Sequence, residues 1–163
     1  MRRLAAGRTA GAARAGGDLG EVLQFMSVLW AVEHGLQRTS KRMAQELGLT
    51  GPQRLALRLV ARFPGISPGG LAGLMRLHPS TVTGVILRLE RRGLLERRTN
   101  ATDRRRAHLF ARTGALRLNR RSAGTVEEAV KKLLVRVGRQ RLQTAADVLT
   151  GLADILQTHV DRP

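Results

Sequence analysis

Between Ser67 and Gly93, two short apolar helical patterns are separated by only three residues, Leu77-His78-Pro79. The first opens on Ser67-Pro68, with serine as cap and proline at the first helical position, and places Leu71, Leu74 and Met75 inward. The second carries Val82, Val85, Ile86 and Leu89 on one face and ends at Gly93. Two short helices joined by so tight a turn form a helix-turn-helix. Directly after it come Leu94–Arg98 and Ala107–Ala111, two short runs around a turn-like Thr-Asn-Ala-Thr. In the second run Ala107, Leu109 and Ala111 share one side, while His108, Phe110 and Arg112 share the other, as in a strand. The pair reads as a β-hairpin, so the expected fold is mainly α with a small hairpin wing: a winged helix-turn-helix.

The flanks are helical. Asp18 and Glu21 have the spacing of a capping box. After them Leu19, Val22, Leu23, Met26, Leu29 and Trp30, and later Met43 and Leu47, recur at helical spacing. A long first helix over about 19–46 follows, ended by Gly48. Thr50-Gly-Pro-Gln53 starts a second helix, with Leu55, Leu59, Val60 and Phe63 on its apolar face and Pro64-Gly65 as its stop. Beyond the hairpin one helix is expected from about Thr113 to Val137, interrupted by the poor helix formers Gly114 and Gly124, and another over about 139–159. That makes six helices. Residues 1–17 read as a basic, disordered tail. They lack the apolar core of a secretory signal and the serine content of an organelle transit peptide.

Charge narrows the function. The chain has 29 Lys and Arg against 12 Asp and Glu, formally +17, and so favours polyanions. The excess is local: Arg88, Arg91, Arg92, Arg97, Arg98, Arg104, Arg105 and Arg106 share one stretch with only Glu90, Glu96 and Asp103. Such a run is often just a solvated face; set on a helix-turn-helix and its hairpin, it points to duplex nucleic acid. Aromatics are 2% of residues and Tyr is absent, so a base-stacking platform for single strands is not expected. Cysteine is absent, which removes disulfides, thiol sensors and Cys-ligated metals. No apolar run reaches the ~18 residues of a membrane span. His34, His78, His108 and His159 are scattered, and no Walker or GxGxxG pattern occurs, so neither enzyme activity nor a cofactor is expected.

Several segments resemble the MarR family of bacterial transcription regulators. They are Leu49-Thr50-Gly-Pro-Gln53, Leu71-Ala72, Pro79-Ser80-Thr81-Val82-Thr83, Leu89-Glu90-Arg91-Arg92-Gly93-Leu94, Glu96-Arg97-Arg98 and Asp103-Arg104-Arg105. The resemblance spans roughly 19–158. It implies a cytoplasmic, nucleoid-associated homodimer on double-stranded DNA. Residues 18–48 and 113–160 would dimerise, and 49–112 would form the DNA-binding domain. It also implies one recognition helix per subunit, with His78, Ser80, Thr81, Thr83 and Arg88 as candidate contacts, and a wing carrying Arg97, Arg98, Arg104 and Arg106. In the family's Asp-x-Arg wing motif the Arg enters the minor groove and the Asp orients it; the matching positions are Asp103 and Arg105. A narrow minor groove does attract guanidinium groups, and a neighbouring carboxylate can hold one ready by bidentate bonds. That Asp103 merely caps the turn stays open.

The chain departs from the family pattern at Gly84, where a basic or polar residue is common, and at His78, which stands where a small capping residue is usual. Many members bind a small-molecule effector. The resemblance makes Trp30, His34 and Phe63 candidates for it, with core packing as the alternative. An architectural DNA-binding protein without effector response is the competing function.

Overall fold

The computed structural model describes residues 20–99, 107–120 and 123–160. In chain order these form α1 (Gly20–Leu47), α2 (Gly51–Arg62), α3 (Pro68–Met75), α4 (Pro79–Arg91), β1 (Leu95–Thr99), β2 (Ala107–Ala111), α5 (Thr113–Arg120) and α6 (Val126–Val160). The chain divides into two compact units, one ending at Arg38 and the other beginning at Thr39.

In the first unit the described residues belong to α1 alone. Its apolar series is exposed: Val22, Leu23, Met26 and Trp30 are all open to solvent. Met43, in the second unit, is the residue of this helix that is buried. The capping box at Asp18 lies outside the described residues.

The second unit has a core of Leu57, Val60, Leu71, Ile86, Leu89 and Leu109, each fully buried. Burying a side chain of this size contributes roughly 1.5–3 kcal/mol. The sequence signals act as local chemistry. Thr50 Oγ1 accepts from the Gln53 N–H at 3.4 Å, and Gln53 Oε1 accepts from the Thr50 N–H at 3.0 Å, so α2 opens on a complete capping box. Ser67 Oγ accepts from the Gly70 N–H at 3.0 Å and starts α3. At the end of α4, Gly93 takes φ +65. Its N–H donates to the Glu90 carbonyl at 2.8 Å, and the Leu94 N–H donates to the Leu89 carbonyl at 3.0 Å. This is a Schellman closure, and it turns the chain directly into β1.

The strands pair antiparallel with Leu95 opposite Ala111 and Thr99 opposite Ala107. β1 thus starts one residue later than its apolar run suggested. Ile66 adds a bridge to Leu109: the Leu109 N–H donates to the Ile66 carbonyl at 3.0 Å, and the Gly65 N–H to the Leu109 carbonyl at 2.9 Å. The α2–α3 loop therefore pairs with the middle of β2.

Three expectations are corrected. Leu55, Phe63 and Leu74 are exposed; α2 instead buries Gln53, Arg54, Ala56, Leu57 and Val60. The helix expected from Thr113 to Val137 stops at Arg120, and α6 starts at Val126. Gly124 at φ +72 lies between them, with its carbonyl accepting from Arg42 Nη2 at 3.1 Å and its N–H donating to Glu128 Oε2 at 2.6 Å. The expected boundary near 138 survives as a kink, with Gly138 at φ 81 and ψ 166 inside α6.

The largest surprise of the core is Arg54, only 1% exposed. Its Nε donates to both Glu127 oxygens at 2.9 and 3.0 Å, and its Nη1 to the Leu118 carbonyl at 3.1 Å. Arg58 shares the same carboxylate at 3.1 Å and caps the Asn119 carbonyl at 3.0 Å. α2 is thereby tied to the end of α5 and the first turn of α6. Burial by itself would raise the Glu127 carboxyl, but the Thr125 hydroxyl and Arg54 outweigh it and hold the group below the usual range.

Candidate nucleic-acid interface

α4 is two-faced. Val82, Val85, Ile86 and Leu89 are buried in the core, which leaves Ser80, Thr81, Thr83 and Arg88 exposed on the opposite side. His78 is the N-cap, with its imidazole Nδ1 accepting from the Ser80 N–H at 3.3 Å. The same Nδ1 lies 2.7 Å from Ser80 Oγ. Thr83 Oγ1 donates back to the Pro79 carbonyl at 2.9 Å. Gly84 has open space where a side chain would begin. The structure therefore gathers all five candidate residues of this helix on one exposed edge, backed by core. Arg88 and Arg91 fall in the last turn, where cations complement the negative end of the helix dipole.

The stem of the wing is less free than its charge suggests. Arg97 grips Glu90 of α4 through Nε at 3.0 Å and Nη2 at 3.4 Å. Arg98 Nε donates to Glu96 at 2.7 Å, and its guanidinium lies 4.5 Å over the Phe110 ring. Arg112 reaches the other Glu96 oxygen at 3.5 Å. The hydrogen bond from Arg98, with the charges of Arg98 and Arg112, lowers the Glu96 carboxyl against the opposing effect of burial. Beside these residues a cavity of about 500 Å³ opens, lined among others by Glu96, Arg98, Phe110 and Arg112. On the same face of the stem as its register partner Arg98, His108 Nδ1 is 2.8 Å from the Gly65 carbonyl; a carbonyl only accepts, so this nitrogen carries the proton. Among the described residues, Arg88 and Arg91 have no ion pair. The wing tip, with Asp103, Arg104, Arg105 and Arg106, lies outside the described residues.

The effector candidates are scattered in character. Trp30 is 63% exposed and Phe63 46% exposed, with the Arg62 guanidinium 5.5 Å from the Phe63 ring. His34 is exposed. None of the three lines the cavity at the wing. What sequence reasoning missed is the Arg54–Glu127 tie and the carboxylates Glu90 and Glu96 as holders of the stem arginines. The helical spacing of Arg54 with Leu57 was a visible hint of the first. Glu96 and Arg98, two apart on one strand and so on one face, were a hint of the second.

A three-helix core with a helix-turn-helix, closed by a two-stranded wing, defines the winged-helix class of DNA-binding transcription regulators. Residues 49–107, the winged-helix part of the chain, match the family model described as MarR family. Solved structures agree in fold. A MepR-like protein complexed with pseudoligands is 21% identical, covering 82% of this chain and 94% of its own, at TM-score 0.69. The PcaV transcriptional regulator of Streptomyces coelicolor, solved with its natural ligand, is 22% identical, covering 85% and 98%, at TM-score 0.67. MepR of S. aureus in complex with DNA is 17% identical, covering 80% and 96%, at TM-score 0.66. None of the curated proteins matches significantly. Among the described residues no helix is long and apolar enough to cross a membrane.

Proposed function

We propose that the chain is a homodimeric repressor that binds a pseudo-palindromic operator in double-stranded DNA and is released by a small-molecule effector. The observation that carries the DNA reading is α4: a polar, exposed edge of His78, Ser80, Thr81, Thr83 and Arg88 on a helix whose other face is locked in the core. A helix so held can enter a major groove without rearranging. Arg88 serves as a phosphate contact, and phosphate contacts fix register rather than sequence. Arg97 and Arg98, already held by carboxylates, contribute to the field of the wing stem more than as free phosphate clamps. At the tip, Arg105 is the minor-groove probe, Asp103 aims it, and Arg104 and Arg106 add sequence-blind attraction.

Dimerisation is supported by the exposed apolar residues of the helices outside the winged helix. Leu23, Met26 and Trp30 on α1 are uncovered, as are Val135, Ile155 and Leu156 on α6; apolar exposure on this scale marks an interaction surface. Residues 18–48 and 113–160 are thus the dimerising parts, 49–112 the DNA-binding domain, and 1–17 a basic tail. The protein would work in the cytoplasm on the nucleoid. Trp30, His34 and Phe63 are the effector candidates. An effector would act by favouring a separation of the two recognition helices that the operator cannot meet.

The test is selection of bound fragments from the source genome, followed by competition. A selected operator should resist an excess of random duplex. If random duplex competes equally well, sequence-specific repression is wrong and the +17 chain is an architectural DNA binder driven by counterion release.

A further inference from the structure

A hydroxyl or an imidazole can usually either donate or accept a hydrogen bond, and a rotating proton carries little information to a base edge. At the start of α4 this freedom is removed. A backbone N–H only donates, so the Nδ1 that accepts from the Ser80 N–H holds a lone pair. In the neutral ring the proton then sits on Nε2. Ser80 Oγ, 2.7 Å from that same lone pair, must direct its own proton to it, which leaves the oxygen as an acceptor. Thr83 spends its proton on the Pro79 carbonyl at 2.9 Å and keeps its lone pairs. Thr81 is exposed and has no such bond among the described residues.

We propose that the His78–Ser80 and Thr83–Pro79 hydrogen bonds fix the proton polarity of the recognition helix. His78 then offers a donor, and Ser80 and Thr83 offer acceptors, to the major groove. This rests on the DNA-binding reading above and deepens it. A fixed donor selects purine N7, guanine O6 or thymine O4. Fixed acceptors select the amino groups of adenine and cytosine. Because the bonds are made within the protein, the pattern is present before DNA arrives, and its ordering does not have to be met on binding. His78 is on this view both the cap of α4 and a specificity residue, through different nitrogens.

The two nitrogens can be separated by substitution. His78→Asn keeps an acceptor at the place of Nδ1 and has no donor at the place of Nε2. His78→Gln keeps a group at the place of Nε2 and caps poorly. The operator selected from genomic fragments is titrated with both variants, alongside thermal melting. The Asn variant should melt near wild type yet bind operator roughly tenfold more weakly, with random-duplex binding unchanged. The Gln variant should melt lower and bind operator more tightly than Asn. In double cycles against base-edge substitutions such as 7-deazapurine, the loss should vanish at one altered base, which locates the acceptor and supports the donor role. Coupling to a methylphosphonate instead would make His78 a sequence-blind phosphate contact and overturn its specificity role. Thr83→Val, isosteric but without lone pairs, should relax discrimination at one base pair. If the Asn variant binds operator as wild type does, or if no altered base couples to it, His78 is not a specificity residue and the proposal fails. If the wild-type protein selects no operator at all, the DNA-binding reading has failed instead.

Discussion

Glu127 is the residue whose removal should be felt furthest. Its carboxylate takes Arg54 at 2.9 Å and Arg58 at 3.1 Å, so Glu127→Ala removes one acid and disturbs two cations. Arg54 is 1% exposed and cannot turn to water. Breaking a buried pair from one side costs about 3–5 kcal/mol. The Glu127 side chain is itself 25% exposed, and water entering there offsets part of that, so the expected loss is about 2–4 kcal/mol. For a chain of this size each kcal/mol moves the melting temperature by about 2–4 °C, a fall of roughly 5–15 °C. Urea denaturation and calorimetry measure both numbers. Glu127→Gln, which keeps shape and acceptor oxygen, should lose less. A cycle of Arg54→Met and Glu127→Leu should show a coupling of at least about 1 kcal/mol. If Glu127→Ala stays within about 0.5 kcal/mol of wild type, the range of inert surface changes, the tie does not hold α2 to the α5–α6 junction and the reasoning is wrong.

The same carboxylate should make stability depend on pH. Its folded pKa is depressed, so its contribution is complete above the unfolded carboxylate value of about 4.3 and is lost as pH falls through the folded value; the stability gap between wild type and Glu127→Gln should close on acidification below pH ~4. Gly84 has free space and ordinary helical backbone, so Gly84→Ala should add about 1 kcal/mol; a lower melting temperature would show that the backbone there needs glycine. On the wing, Arg105→Ala should weaken operator binding by about 1–3 kcal/mol and relax flanking A/T preference, while Arg104→Ala or Arg106→Ala should lower the salt slope by ~1. Asp103→Ala should weaken binding despite removing a negative charge, and tighter binding would sink its aiming role. Sedimentation should give twice the 17.8 kDa chain mass, and Leu23→Glu should shift it towards monomer; a monomeric wild type at micromolar concentration refutes the dimer.

The helix starts, the tight turn and the hairpin were legible because each depends on neighbours a few residues apart. Thr50 with Gln53, Ser67 with Pro68 and Gly93 after Leu89 specify their own hydrogen bonds wherever the chain is. The buried side of α4 was legible for the same reason, since its apolar period matches the helix without interruption. The inner face of α2 was not. Leu55 and Phe63 fit a helical stripe as well as Ala56 and Leu57 do, and only the position of α3, α4 and α5 decides which stripe is covered. Nor can spacing foretell that Arg54, an ordinary surface residue by type, meets an acid 73 positions away.

By itself, then, the sequence determined the local grammar of a winged helix-turn-helix, the concentration of charge around it and its likeness to the MarR family over residues 49–107. Tertiary structure alone decided which charges are spent inside the protein. Glu90 of α4 holds Arg97 of β1, Glu96 takes Arg112 across the hairpin as well as its neighbour Arg98, and Glu127 holds Arg54 and Arg58. The physical reason is range. Caps and periodicity act over one helical turn, whereas ion pairs and burial depend on which surfaces the whole chain brings together.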